Sequence, residues 1–588
     1  MYLIFDTETT GLPRNYNAPV TDTDNWPRCI QIAWQLHGEF GNLIENEDYL
    51  VKPDGFNIPY DAERIHGICT ELADEQGIGL AEVLEKFNTA LSKAKFVVGQ
   101  NIGFDVNIMG SEFHRLGIES PMSQMPVLDT CTEVTADLLK LPGGRGGRFK
   151  LPNLTELHQY LFGEPFAEAH NATADVEATT RCFLQLLKTD VFKPEQLLAD
   201  QNYLKLFKER NPGMIGRAGL THINLKAASD DIRKRLNKGD GISKQTLQGN
   251  KEELKNVVFA HLHNHTQFSV LQSTINIPDL IKATAAMKMP AVAMTDHANM
   301  MGAFHFVTQV LNHNKGAEAK NAAAIEKGEE PTETIIKPIV GCEFFVCENH
   351  TDKKRKDDGY QMVFLAKNKN GYHNLAKMSS IAYTKGFYYV PRIDKDVVEQ
   401  YKDDIIVLSG NLYGEVSSKL LNIGERQAEE ALLWWKDKFG ADFYIEIMRH
   451  NQDDENIVNA SLISLARKHE VKLVATNNTY YINKKDANAH DILLCVKDGE
   501  KQATQIGRGR GYRYGLPNQE YYYKSADEMK ALFADLPEAI VNVQEVIDKT
   551  ESYKLAREVL LPKFDIPVEF LVTQDDEDGG KRGENKYL

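Results

Sequence analysis

No stretch of this chain approaches the about 20 consecutive apolar residues that a membrane-spanning helix needs, and the start, MYLIFDTETT, lacks the basic segment and apolar run of a secretory leader. Cysteine is scarce. Its seven residues, an odd number with no C-x-x-C pair, exclude a disulfide framework or a zinc ribbon and read as buried free thiols in a reducing compartment. Positive charge is in the minority: 68 Lys and Arg face 84 Asp and Glu, a formal net charge of −16. That balance excludes a protein that coats nucleic acid through bulk electrostatics and leaves only local basic loops for phosphate contacts. These deficits predict a soluble cytoplasmic protein with no membrane partner.

With 588 residues, 42% of them hydrophobic, the chain can bury several ordinary cores. Over residues 1–190, short apolar strands (LIF, CIQIAWQL, FVVGQ) alternate with amphipathic stretches such as LAEVLEKFNTALSKA and DVEATTRCFLQLLK, which is α/β patterning around a mixed sheet. Residues 191–255 are polar and rich in Lys, Arg and Gly, and read as a basic linker with some helix. From 256 to 549 the strands AVAMT, KPIVGCEFFV, QMVFLA, DIIVLS, DFYIEI and KLVAT are each followed by a helical stretch, the pattern of a (β/α) barrel. Residues 550–588 form a charged, Gly-rich tail; its QDDED reads as a solvated acidic run.

LIFDTETTG places Asp6 and Glu8 two residues apart at the end of an apolar run, so on a strand both carboxylates face one side. Such a pair beside a core repels unless a cation sits between, which makes a divalent metal the natural partner. GQNIGFDVNIM sets Asp105 early in a helix after the strand FVVG, and EAHNATADVEATT sets His170 five residues before Asp175 at another helix start. Four carboxylates and a histidine meet the needs of hydrolysis by two Mg²⁺ ions about 4 Å apart, with the imidazole taking a proton from water.

In these motifs, over about residues 1 to 188, the sequence resembles the DEDDh family of 3′-to-5′ exonucleases. The resemblance implies an RNase H-like fold, two Mg²⁺ (or Mn²⁺) ions held by Asp6, Glu8, Asp105 and Asp175, and His170 as general base.

A second set of motifs begins at HLHNHTQFSVLQ, residues 261 to 272, where His263 and His265 share one side of an extended segment with His261 beside them. Together with AVAMTDHANMMGA, PIVGCEFF, FLAKNKNGYHNL, EIMRHN and VATNNTYYINKKDANAHDILLC, it resembles the PHP (polymerase and histidinol phosphatase) family. The spacing is that of the N-terminal PHP domain of bacterial DNA polymerase III alpha subunits. The resemblance implies a (β/α)7-type barrel with metal ligands at the C-terminal ends of its strands. His263, His265, His297, Glu343 and His450 fill ligand positions of that family, whereas Gln272, Gln361, Asn478 and Tyr480 stand where it has aspartate or histidine. Amides hold Zn²⁺ or Mn²⁺ far more weakly than carboxylates or imidazoles do, so the expectation is a vestigial site, empty or at most partly occupied.

Two Gly-rich loops, LPGGRGGRFKLP (141 to 152) and IGRGRGYRYGLP (506 to 517), carry Arg for phosphate contacts, and the second adds Tyr512 and Tyr514 for stacking on unpaired bases. The combined expectation is a proofreading exonuclease acting on the 3′ end of single-stranded or mismatched DNA. It would be fused to the PHP domain of a replicative polymerase alpha subunit, with no polymerase palm in this stretch and with a sliding clamp and other replisome subunits as partners. An active PHP phosphoesterase and a non-catalytic replisome scaffold are the alternatives.

Overall fold

The computed structural model describes every residue except 167–170, 221–222, 237–243, 508–511 and 558–588. Near the N-terminus a mixed sheet forms from β1 (Tyr2–Thr9), β2 (Cys29–His37), β3 (Leu43–Leu50), β4 (Phe96–Gly99) and β5 (Val127–Asp129), in the order β3-β2-β1-β4-β5. β1, β2 and β3 pair antiparallel, while β4 and β5 run parallel to β1. This is the mixed sheet of the RNase H-like fold. Alternation along β1 sorts its side chains between two cores: Leu3 and Phe5 pack with Trp34 and Phe87, while Tyr2 and Ile4 pack with Val176 and Phe183. The second core is roofed by the helix Ala172–Lys188, whose apolar stripe made it legible in the sequence.

The second sheet contains β6 (Ala291–Met294), β7 (Lys337–Cys347), β8 (Tyr360–Ala366), β9 (Arg392–Asp394), β10 (Ile405–Leu408), β11 (Phe443–Ile447) and β12 (Lys472–Ala475). Its order is β12-β11-β10-β8-β7-β6, with β9 beside β7. β8 runs antiparallel to both neighbours, so the sheet is a curled, mixed half-barrel. The histidine segment is not a regular strand: residues 261–265 make only an isolated bridge, Asn264 with Thr479. That segment nevertheless joins the two outer edges. The His261 carbonyl accepts from Ala293 N–H at 3.0 Å beside β6, and His265 N–H donates to the Thr479 carbonyl at 2.9 Å beyond β12.

Residues 191–255, expected to be a basic linker with some helix, contain three helices among the described residues. Tyr203–Arg210 buries Leu204 and Phe207 in the first domain. Leu225–Leu236 packs Leu225 and Ile232 against Cys69 and Leu72, and its Arg233 forks onto Glu63. Lys244–Leu254 instead turns to the second domain, where Leu254 joins the core. Each helix buries only a narrow edge, which is why its apolar periodicity is faint. The tail expected from 550 lies outside the described residues beyond position 557.

Candidate active site and metal cluster

β1 delivers Asp6 and Glu8 to the sheet face covered by Ala172–Lys188, and the first turn of that helix carries Asp175. Ligand oxygens of Asp6, Glu8 and Asp175 all lie within 4.8 Å of one another. Thr7, between the two acids, faces the opposite way and fixes the fourth carboxylate. Its N–H and its hydroxyl donate to Asp105 Oδ1 at 3.0 and 2.6 Å. Asp105 itself sits in the first turn of the helix Gly103–Leu116 and is 5% exposed. The structure thus brings three of the predicted carboxylates to one point and holds the fourth beside them. His170 falls outside the described residues.

The electrostatics are those of crowded anions. Burial, then the charges of Asp105, Asp175 and Glu8, push Asp6 well above the usual carboxylate range. Glu8 is raised to about 8, by burial first and by Asp175 and Asp105 next. Asp105 rises to about 7, burial outweighing the two bonds from Thr7. A cluster that holds its protons this tightly has the donor set, all carboxylate oxygen, that hard divalent cations take in their place.

In the second domain, His263 Nε2, His265 Nε2 and Glu343 Oε2 converge: the carboxylate lies 3.7 Å from the first and 3.2 Å from the second. His297 Nδ1 stands 2.9 Å from the same oxygen. Among the described residues, none of these four buried atoms has a regular hydrogen-bond partner. Burial opposes the proton on both His263 and His265. Glu446 and Glu343 override it at His263, raising it to about 10, whereas the neighbouring His297 helps to keep His265 down at about 3. Behind His263, Glu446 Oε1 accepts from Nδ1 at 2.8 Å and orients the ring, leaving Nε2 for the cluster. The sequence reading missed Glu446, although a lone acid inside the apolar strand FYIEI was its signal. His265 is stacked on Tyr480, centroids 4.5 Å apart.

His450 does not join them. Its Nδ1 donates to Glu455 Oε1 at 2.6 Å, its Nε2 lies 3.2 Å from the Asn477 carbonyl, and its ring stacks on Tyr521. His261 turns away too, with Nε2 on the Lys524 carbonyl. Of the replaced positions, Gln361, Asn478 and Tyr480 line a cavity of about 80 Å³ beside His450. Asn411 ties Gln361 into the cluster, its amide donating to Gln361 Oε1 at 2.9 Å and to Glu343 Oε1 at 3.3 Å.

The described arginine side chains of the two Gly-rich loops are each paired with an acid. In the first, the Arg148 side chain is paired with Glu133. In the second, residues 508–511 lie outside the described residues, and Arg513 is buried and forked onto Asp491. Among the described residues, no helix is long and apolar enough to cross a membrane.

Comparison with known proteins agrees with both halves of this geometry. Residues 3–183 match the Exonuclease family, and residues 261–450 match the PHP domain. The DNA polymerase III subunit alpha of Borreliella burgdorferi is 37% identical over 317 residues, covering 53% of this chain and 25% of that protein. Its Campylobacter jejuni counterpart is 35% identical over 303 residues, 50% of this chain and 23% of that protein. The chain therefore spans about a quarter of the length of these relatives. Among solved structures, E. coli exonuclease I bound to a dA16 oligonucleotide is 24% identical over 36% of this chain and 43% of that one, with a TM-score of 0.27. This chain carries an exonuclease-family domain followed by a PHP domain, and over about half its length it is similar to DNA polymerase III alpha subunits.

Proposed function

We propose that the N-terminal domain is a proofreading 3′-to-5′ exonuclease that trims single-stranded or mismatched DNA ends. In this reading the PHP domain is its scaffold within a replicative polymerase alpha subunit. The observation that carries it is the meeting of Asp6, Glu8 and Asp175 within 4.8 Å inside an Exonuclease-family segment. Two Mg²⁺ (or Mn²⁺) ions, held by these three with Asp105, would supply activation of water and stabilisation of the leaving oxygen. Thr7 keeps Asp105 in place from the far side of the strand. His170 is assigned the proton from the attacking water, on its position five residues before Asp175. Relatives named DNA polymerase III subunit alpha support a sliding clamp and other replisome subunits as partners.

The PHP reading rests on room and ligands. A cavity of about 80 Å³ lies well below the ~300–1,000 Å³ of ordinary small-molecule sites. Neutral Gln361, Asn478 and Tyr480 line it, and His450 is engaged by Glu455. What remains, His263, His265 and Glu343 with His297 adjacent, fits one Zn²⁺ or Mn²⁺ ion rather than a cluster.

The test is digestion of a 3′-mismatched primer-template with Mg²⁺ or Mn²⁺ by the parent, Asp6→Ala and His263→Ala proteins. Loss in Asp6→Ala with His263→Ala unaffected supports the assignment. Digestion that survives Asp6→Ala but falls in His263→Ala makes the PHP domain the nuclease.

A further inference from the structure

Behind the carboxylate site, on the same sheet face, lies a cavity of about 440 Å³ that the proposed exonuclease chemistry does not use. Its floor is β2 and the helix Ala172–Lys188, and its cover is the segment 211–218. That segment is laced to the helix: the Arg181 guanidinium Nε donates to the Ile215 carbonyl at 3.1 Å, Ile215 N–H to Gln185 Oε1 at 3.3 Å, and Gly219 N–H to Glu177 Oε1 at 2.8 Å. The cover is therefore built, not draped.

Two features mark the cavity as a binding site. Gln35 and Thr180, 0% and 4% exposed, both line it; the Gln35 amide is held through Oε1, 3.0 Å from His37 Nε2, and among the described residues neither Gln35 Nε2 nor Thr180 Oγ1 has a hydrogen-bond partner. Buried donors are almost always satisfied, so a pair of orphans beside a void asks for a ligand that brings acceptors. The second feature is charge. Arg181, Arg210 and Arg217 line the same cavity, in a chain whose net charge is −16; Glu164 at its rim pairs with Arg181 at 3.1 Å and with Arg217 at 2.9 Å, which leaves Arg210 as the principal phosphate receptor. Phe40 and Phe162 hold two of these guanidiniums flat, each 3.8 Å from the ring centroid, under Arg210 and Arg181 respectively. Pre-oriented guanidinium planes are the standard receptors for phosphate oxygens.

We propose that this cavity binds a small phosphorylated molecule of mononucleotide size, its phosphate on the arginines and its sugar or base acceptors on Gln35 and Thr180. The site is separate from the metal carboxylates but shares the helix with Asp175, so an occupant would brace the element that positions that ligand.

Isothermal titration calorimetry on the full chain, in EDTA to disable the metal site, tests this with 5′-dAMP, ribose 5-phosphate and inorganic phosphate as probes. Arg210→Gln and Thr180→Val are each expected to weaken binding of the organic phosphates at least ten-fold while leaving primer digestion unchanged, which also shows that the variants fold. Tighter binding of 5′-dAMP assigns the site to nucleotides, and equal binding of ribose 5-phosphate assigns it to sugar phosphates. No heat with either organic phosphate at millimolar concentration overturns the proposal, as does affinity untouched by both variants or abolished by Asp6→Ala. Inorganic phosphate binding as well as both would refute the role of Gln35 and Thr180. None of these results depends on whether the carboxylate site degrades DNA, which digestion reports separately.

Discussion

Replacing Glu8 by glutamine should have opposite effects on catalysis and on metal-free stability, because the same charge that recruits a cation strains the protein without one. In the folded chain Glu8 keeps its proton to about 8, against an ordinary value of 4.5. Between those values the unfolded chain has released a proton that the folded chain retains. Stability in EDTA must therefore fall as pH rises through this window, and be fully present only below about 4.5. At pH 7 the gap is two and a half units, or ~3.5 kcal/mol at ~1.4 kcal/mol per unit. Glu8 is only half-buried and sits among Asp6, Asp105 and Asp175, so solvent screening and relaxation reduce this to ~1–2 kcal/mol. Glu8→Gln removes that cost. Urea unfolding in EDTA, followed by the fluorescence of Trp26 and Trp34 in this domain's core, should show the variant ~1–2 kcal/mol more stable at pH 7, the gain vanishing near pH 4.5. Adding Mg²⁺ should stabilise the parent and not the variant. A variant no more stable than the parent at pH 7 in EDTA, or one whose gain is the same at pH 4.5, would refute the crowded-anion account.

Three further outcomes are expected. Thr7→Val deletes the 2.6 Å hydroxyl bond to Asp105 but keeps the backbone N–H, so primer digestion should fall about ten-fold, the equivalent of one charge-assisted hydrogen bond, while thermal unfolding stays cooperative with its midpoint lowered by a few degrees. Metal analysis of the purified chain should find about one Zn²⁺ or Mn²⁺ per PHP domain, lost in His265→Ala and retained in His450→Ala, whose ring is already held by Glu455. Glu415 is buried between Lys395 and Lys419, at 2.9 and 2.8 Å, and accepts from Trp435 Nε1 at 2.7 Å. Burial pushes its carboxyl up, but the two lysines outweigh it and hold it low. Its contribution is complete above the usual carboxylate range and is lost as pH falls through the lower folded value. Glu415→Ala should cost about 2 kcal/mol at pH 7, less than a fully buried pair because both lysines reach solvent, and less in acid; calorimetry across pH checks both.

What could be read in the sequence was whatever local periodicity encodes. Asp6 and Glu8 on one side of β1, Asp105 in a first turn and Asp175 at a helix start all follow from spacings of two or from capping positions; Asp6, Glu8 and Asp175 converge, and Thr7 holds Asp105 beside them. His263, His265, His297 and Glu343 likewise gather, His297 just past the end of β6 and Glu343 midway along β7. What spacing does not encode is which partner each side chain takes. His450 stands at a ligand position of the PHP pattern, yet its nitrogens face Glu455 and Asn477, and His261, beside the His263–His265 pair, turns to the Lys524 carbonyl. Arg233 and Arg235 gave residues 191–255 their basic look, yet Glu63 and Glu75 neutralise them. Composition records charge and not pairing, so a basic stretch and a bound one look alike.

The seam at Asn264 and Thr479 also bears on how the second domain is made. More than two hundred residues separate these bridge partners, so the sheet's edges cannot be joined until nearly the whole domain has emerged and collapsed. Loop-closure entropy grows only slowly with length, so the seam costs little more at equilibrium than a shorter one would, and the burden falls on rate. His263 and His265 sit in that seam, so their ligand nitrogens face Glu343 only once it is closed, and a cation binding there would act as the clasp on a domain already formed around it.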